Sequence, residues 1–181
     1  MITLKGLNKS LHIAPRLYHF FKRFILWAML LQLIVFLISQ APEITDVIEN
    51  TLAQWSSSLY RLAVGPMLTE GNRLIHLESG RYVIVDSQCT ALSLSATLMA
   101  AMFSLPYQWR DKVFAAFLAV SLIQIENIIR ITCLFYEVKQ PVNNFHLFHL
   151  YIWQLINFIV ALIIFYSLYN YLNKRLQSVN Q

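Results

Sequence analysis

Three side chains in this sequence have the chemistry for a shared reaction. Cys89 carries a nucleophilic sulfur, Arg130 a fixed positive charge and His149 a titratable imidazole. A thiol must become a thiolate to attack a carbonyl carbon, and a helix N-terminus or a nearby cation lowers its pKa. An imidazole, whose reference pKa is about 6.5, serves as general acid or base. A guanidinium only donates, so it suits the oxyanion of a tetrahedral intermediate. Brought together, the three would support acyl transfer through a thioester.

The elements that must position them are set by a membrane. Of the 181 residues, 57% are hydrophobic and 13% charged, against roughly 45–50% and 25% in soluble domains. The long uncharged runs leave too little polar surface for a soluble enzyme. With only 4 Gly and 5 Pro, the chain is neither disordered nor collagen-like, and 2 Cys exclude a disulfide scaffold. Four runs approach the ~20 residues needed to cross the hydrocarbon core. They lie at about 24–41, 89–106, 113–136 and 149–172, the third carrying Glu126 and Arg130. The expected fold is an all-α membrane protein: a four-span transmembrane helix bundle in one domain, 1–181.

The segment 42–88 between the first two spans is the one sizeable outer part. Ile44, Val47, Ile48, Leu52, Trp55, Leu59, Leu62 and Ala63 recur at helical spacing, which predicts an amphipathic helix over 43–64 ended by Gly65-Pro66. Residues 74–77 and 82–85, joined by Glu78-Ser79-Gly80-Arg81, predict a β-hairpin that delivers the chain to Cys89.

Orientation follows from the basic residues. Lys5, Lys9, Arg16, Lys22 and Arg23 precede the first span, Arg110 and Lys112 join the second to the third, and Lys174 and Arg175 follow the fourth. The opposite side holds more acids than bases. Both termini are therefore expected in the cytoplasm, with the first span an uncleaved anchor. The basic balance is a topology signal; no clustered basic face on a soluble domain suggests nucleic acid. In this topology Cys89 opens the second span at the outer surface and His149 opens the fourth there. Arg130 lies 17 residues into the third, so about 26 Å across a core of about 30 Å. The three converge at one depth on the outer face.

Each has a plainer reading. Cys89 suits a small buried hydrophobe. Arg130 suits snorkelling to headgroups or an ion pair with Glu126, one turn below. His149, like His146, suits an interfacial position. Those readings describe a non-catalytic membrane scaffold. Cys133, one turn above Arg130, offers a thiol redox partner for Cys89. His146 and His149 with Cys89 or His76 have metal-ligand chemistry, but nothing else supports such a site, so neither a metal nor another cofactor is expected.

At these positions the sequence resembles the exosortase/archaeosortase family. That family's pattern is a Cys opening one span, Asn-x-x-Arg near the outer end of the next, and a His opening the last. Here it matches Cys89 in Asp86-Ser87-Gln88-Cys89-Thr90-Ala91-Leu92, Asn127 and Arg130, and His149 in the run from Phe145 to Gln154. The stretch from Cys89 to Trp153 is most similar to the short exosortase H subtype. The resemblance implies a membrane cysteine protease/transpeptidase at the outer face of a bacterial inner membrane. Its partner would be the C-terminal sorting tail of an exported protein. It also implies catalytic roles for Cys89, Arg130 and His149 and a supporting role for Asn127, beside Glu126. One position departs: the family places Gly two residues after the Cys, where this chain has Ala91.

Overall fold

The computed structural model describes residues 4–139 and 151–179. Helix α1 (Leu4–Ser39) leads through a short turn into α2 (Pro42–Ala63). Three strands follow, β1 (Leu68–Glu70), β2 (Arg73–Ile75) and β3 (Tyr82–Ile84). A 3-10 turn at Ser87–Cys89 then opens onto α3 (Leu92–Ser104), α4 (Trp109–Lys139) and α5 (Trp153–Val179).

Three helices are long and apolar enough to cross a membrane: α1 over Leu17–Ser39, α4 over Trp109–Val138 and α5 over Trp153–Arg175. The run expected to span at 89–106 forms helix only over the 13 residues of α3, about 20 Å of rise. It is shortened at both ends for local reasons. Ala91 takes a left-handed conformation that no helix continues through. Leu105 precedes Pro106 and is extended (φ −67°, ψ 148°). The short helix is shielded by protein: it packs on α1, α4 and α5. Its buried face is rich in small residues (Ser95, Ala96, Ala100 and Ser104) that let neighbours approach closely. Irregular backbone at such depth is tolerated where protein covers it. By contrast α1, α4 and α5 turn large apolar side chains such as Met29, Phe117 and Leu162 outward, as a lipid-facing surface does.

Helix α2 starts with Pro42 at its first turn and Glu43 near its positive end. Its buried face is Glu49, Leu52, Ala53, Ser56, Ser57 and Tyr60. The apolar stripe read from the sequence is split: Leu52 and Ile48 pack on the core, while Ile44, Val47, Trp55 and Leu62 are exposed. Small residues (Ala53, Ser56 and Ser57) let α2 pack closely on protein.

The expected hairpin is present as β2 and β3, antiparallel, with Leu74 opposite Val83. The sequence reading missed β1, which pairs with β2 through a two-residue turn opened by Gly71 (φ 59°). Strand β2 is thus central and β3 an edge. One apolar core joins α2, the sheet and α4, with Tyr60 edge-on to Phe135 at 4.8 Å between ring centroids. A second joins α3, α4 and α5. Cys89 belongs to the first core, and Ala91 packs against the second.

Candidate active site around Cys89

The loop carrying Cys89 is fixed by hydrogen bonds from both sides. Asp86 caps the 3-10 turn: its Oδ1 accepts from the N–H groups of Gln88 (3.0 Å) and Cys89 (3.2 Å). Beyond the turn, the break before α3 leaves carbonyls without helical partners, and in an apolar setting each must find a donor. Helix α4 supplies them. Asn127 Nδ2 donates to the Cys89 carbonyl at 2.7 Å, and Gln124 Nε2 to the Thr90 carbonyl at 3.1 Å. Asn127 is fully buried, so it is matched to this bond and unavailable to solvent.

Ala91 is the one residue other than glycine with positive φ among the described residues (φ 52°, ψ 21°). A side chain costs roughly 1–2 kcal/mol in that region. The position is the one where the resemblance led to an expected glycine, and the backbone gives the reason. Ala91→Gly is therefore expected to stabilise the protein by up to about 1 kcal/mol, after the entropy that glycine adds to the unfolded chain is subtracted. Thermal unfolding in detergent checks this; a lower midpoint for the variant would contradict it.

Arg130 is brought beside this loop and is only 6% exposed. In place of the direct Glu126 ion pair, one of the plainer readings of Arg130, there is a bridge. Asn157 of α5 sits between the two, its amide oriented by what surrounds it. Its oxygen accepts from Arg130 Nη1 at 2.8 Å, while its nitrogen donates to Glu126 Oε1 at 2.7 Å and to the Trp153 carbonyl at 3.1 Å. Arg130 keeps two donors, Nε and Nη2, with no hydrogen-bond partner among the described residues. Buried donors left unpaired are costly, and an arginine held by one nitrogen with two free is shaped to take an added acceptor. Sequence reasoning missed Asn157. The available signal was a polar amide in the middle of an otherwise apolar span, which calls for a partner.

Cys89 is buried too, at 5% exposure, and lines a groove of about 660 Å³ between β3 and α4. Arg130 and Asn157 line a second cleft, which they share with Ser87, Gln88 and Ala91. Burial pushes the Cys89 thiol up to about 11. The Asp86 backbone and the Arg130 charge pull it back, and the Asp86 carboxylate adds to the rise. This corrects the sequence-based expectation of a depressed pKa: Arg130 acts in the expected direction, but desolvation outweighs it. The resting thiol therefore keeps its proton at neutral pH. In a Cys133→Ala background, alkylation of Cys89 by a small maleimide should keep rising tenfold per pH unit past pH 9. Arg130→Ala should slow it further at each pH. A plateau below pH 8 would contradict both.

His149 lies outside the described residues, as does His146; α5 follows them in sequence. Cys133 is an exposed free thiol, and no disulfide joins it to buried Cys89. His76 is buried in the β2–β3 turn, its Nδ1 3.0 Å from Ser79 Oγ. Among the described residues no three His, Cys, Asp or Glu side chains cluster as metal ligands do.

Comparison with known proteins adds one finding. The family model described as transmembrane exosortase (Exosortase_EpsH) matches residues 15–169. No curated protein and no solved structure matches the chain.

Proposed function

The chain belongs to the transmembrane exosortase family, and from that premise we propose that it is a cysteine protease/transpeptidase of the bacterial inner membrane. It cleaves C-terminal sorting tails of exported proteins at the outer face and transfers or releases the product. Both termini lie in the cytoplasm. Helix α3 is the fourth pass, inside α1, α4 and α5, and the Cys89 turn, α2 and the sheet form an outer cap.

Cys89 Sγ gives up its proton to His149 and adds to the scissile carbonyl carbon. The oxyanion is held by the free N–H groups of Arg130. His149 then protonates the leaving nitrogen as the C–N bond breaks, leaving a thioester on Cys89. An amine, another nucleophile or water attacks that thioester and restores the thiol. The raised thiol pKa fits this order, because deprotonation is then coupled to substrate arrival and the resting sulfur is protected from oxidation. The observation that carries the reading is Arg130: a buried cation with two donors unpartnered among the described residues, in a cleft shared with Ser87, Gln88 and Ala91 of the Cys89 loop. An arginine serving only as a structural tie would have those donors paired.

The test is to trap the thioester. A periplasmic reporter carrying a short motif, a transmembrane helix and a basic end is co-expressed with the protein, and membranes are treated with hydroxylamine. The reporter should be recovered with a C-terminal hydroxamate, identified by mass, and not from cells carrying Cys89→Ala. Cleavage that persists in Cys89→Ala would sink the mechanism and leave the scaffold reading in front.

A further inference from the structure

The groove beside Cys89 has one wall made of backbone. Strand β3 is an edge of the sheet, and the ladder shows which of its groups are used. His76 N–H donates to the Arg81 carbonyl and Val85 N–H to the Asn72 carbonyl, each at 2.9 Å. Hydrogen-bonded and non-hydrogen-bonded pairs alternate along an antiparallel ladder. Arg81, Val83 and Val85 therefore turn their backbone groups to β2. Tyr82 and Ile84 turn theirs to the open edge, and among the described residues no strand pairs with it. Proteins usually blunt such an edge with proline, a bulge or a covering element. Among the described residues it is left open, in a groove lined also by Ile131, Leu134 and Val138 of α4 and by Asp86 and Cys89.

We propose that the open edge of β3 is the docking strand for the substrate: the extended stretch of the sorting tail at the scissile bond pairs with Tyr82 and Ile84 as a fourth strand, which lays its carbonyl beside Cys89. This rests on the proteolytic reading above. An extended polypeptide is the occupant these groups select. The N–H and C=O groups of Tyr82 and Ile84 offer donors and acceptors at alternating positions, which an antiparallel backbone matches through about four hydrogen bonds. A lipid chain would leave them unpaired. The volume of about 660 Å³ falls within the roughly 300–1,000 Å³ of ordinary ligand clefts. Cys89 lines the same groove, so pairing fixes the register of the tail against the sulfur. Main-chain bonds supply affinity, and side-chain selection falls to the α4 wall.

The test removes outward N–H groups one at a time. Ile84→Pro and Tyr82→Pro each delete a donor that the ladder does not use, at an edge position where proline is tolerated. Ile84→Ala and Tyr82→Ala keep the donor and lose the side chain. With the tail-bearing reporter as probe, each proline variant should process about tenfold more slowly. The alanine variants, which keep that donor, should fall less than the matching proline variants. Maleimide labelling of Cys89 should be unchanged in all four, because that small reagent needs no strand pairing. Proline variants that process like wild type, or alanine variants that fall as far as proline, would overturn the docking strand. If a proline variant unfolds, synthetic peptides of the reporter's motif with one N-methyl group moved along the chain replace it. Their competition for processing should alternate with a period of two, and a flat profile would overturn the inference equally. Reporter cleavage that survives Cys89→Ala would overturn the proteolytic reading itself, and the docking strand with it.

Discussion

Arg130→Lys is expected to process the tail-bearing reporter about 100- to 1000-fold more slowly than wild type, the usual cost of losing an oxyanion donor. The charge is kept, so a loss this large tests geometry. The guanidinium divides its work: Nη1 is held by the Asn157 oxygen at 2.8 Å, and Nε and Nη2 stay open. A lysine has one nitrogen on a flexible stem. If that nitrogen takes the Asn157 contact, nothing faces the oxyanion; if it faces the oxyanion, Asn157 loses its partner. Arg130→Ala should fall at least as far. The fall should appear in the single-turnover rate of thioester formation with apparent substrate affinity little changed, because the interaction arises only as the carbonyl becomes tetrahedral. Detergent-solubilised protein should still melt cooperatively. Wild-type turnover by Arg130→Lys would remove Arg130 from the mechanism and leave its unpartnered donors without a role.

Much of this arrangement is legible in the sequence, and the gaps have physical causes. Long uncharged runs mark α1, α4 and α5 because lipid accepts little else. Short runs of aliphatic and β-branched residues joined by the Glu78-Ser79-Gly80-Arg81 turn mark β2 and β3. Strand β1 (Leu68-Thr69-Glu70) escapes because it lacks the apolar run that marks β2 and β3, and its pairing depends on the turn at Gly71. The α3 run looks long enough to span, since hydropathy registers composition and not the left-handed turn at Ala91. Cys89 and Arg130 could be placed near one depth from topology alone. The sign of the Cys89 shift could not, because it depends on how completely neighbouring side chains exclude water from the sulfur. The clamp from α4 is half legible. Asn127 stands out as an amide in an apolar helix, but only the structure shows that it holds the Cys89 carbonyl, which makes it a positioning residue for the nucleophile's backbone.

Asn157→Leu is the second large effect expected, a loss of roughly 10- to 100-fold in processing, from the 1–3 kcal/mol that an orphaned buried polar group costs. Leucine is close in size, so the helix packing of α5 should survive while both sides of the bridge are undone: Glu126 loses its donor and Arg130 Nη1 its acceptor. Arg130 is then free to swing toward Glu126, one helical turn away, and form the direct ion pair that the sequence suggests. That pairing would hold the fold together and draw the guanidinium from the reacting carbonyl, so activity should fall further than stability. Two measurements separate this from simple damage. The Cys89 thiol should titrate higher in Asn157→Leu, since the Arg130 charge that opposes the rise has moved away. In an Arg130→Ala background, Asn157→Leu should cost less than about twofold, because residues acting through one group are not additive. Full additivity of the two losses would mean that Asn157 serves the bundle and not the guanidinium. A Cys89 titration unmoved by Asn157→Leu would mean that the bridge does not set the field at the sulfur.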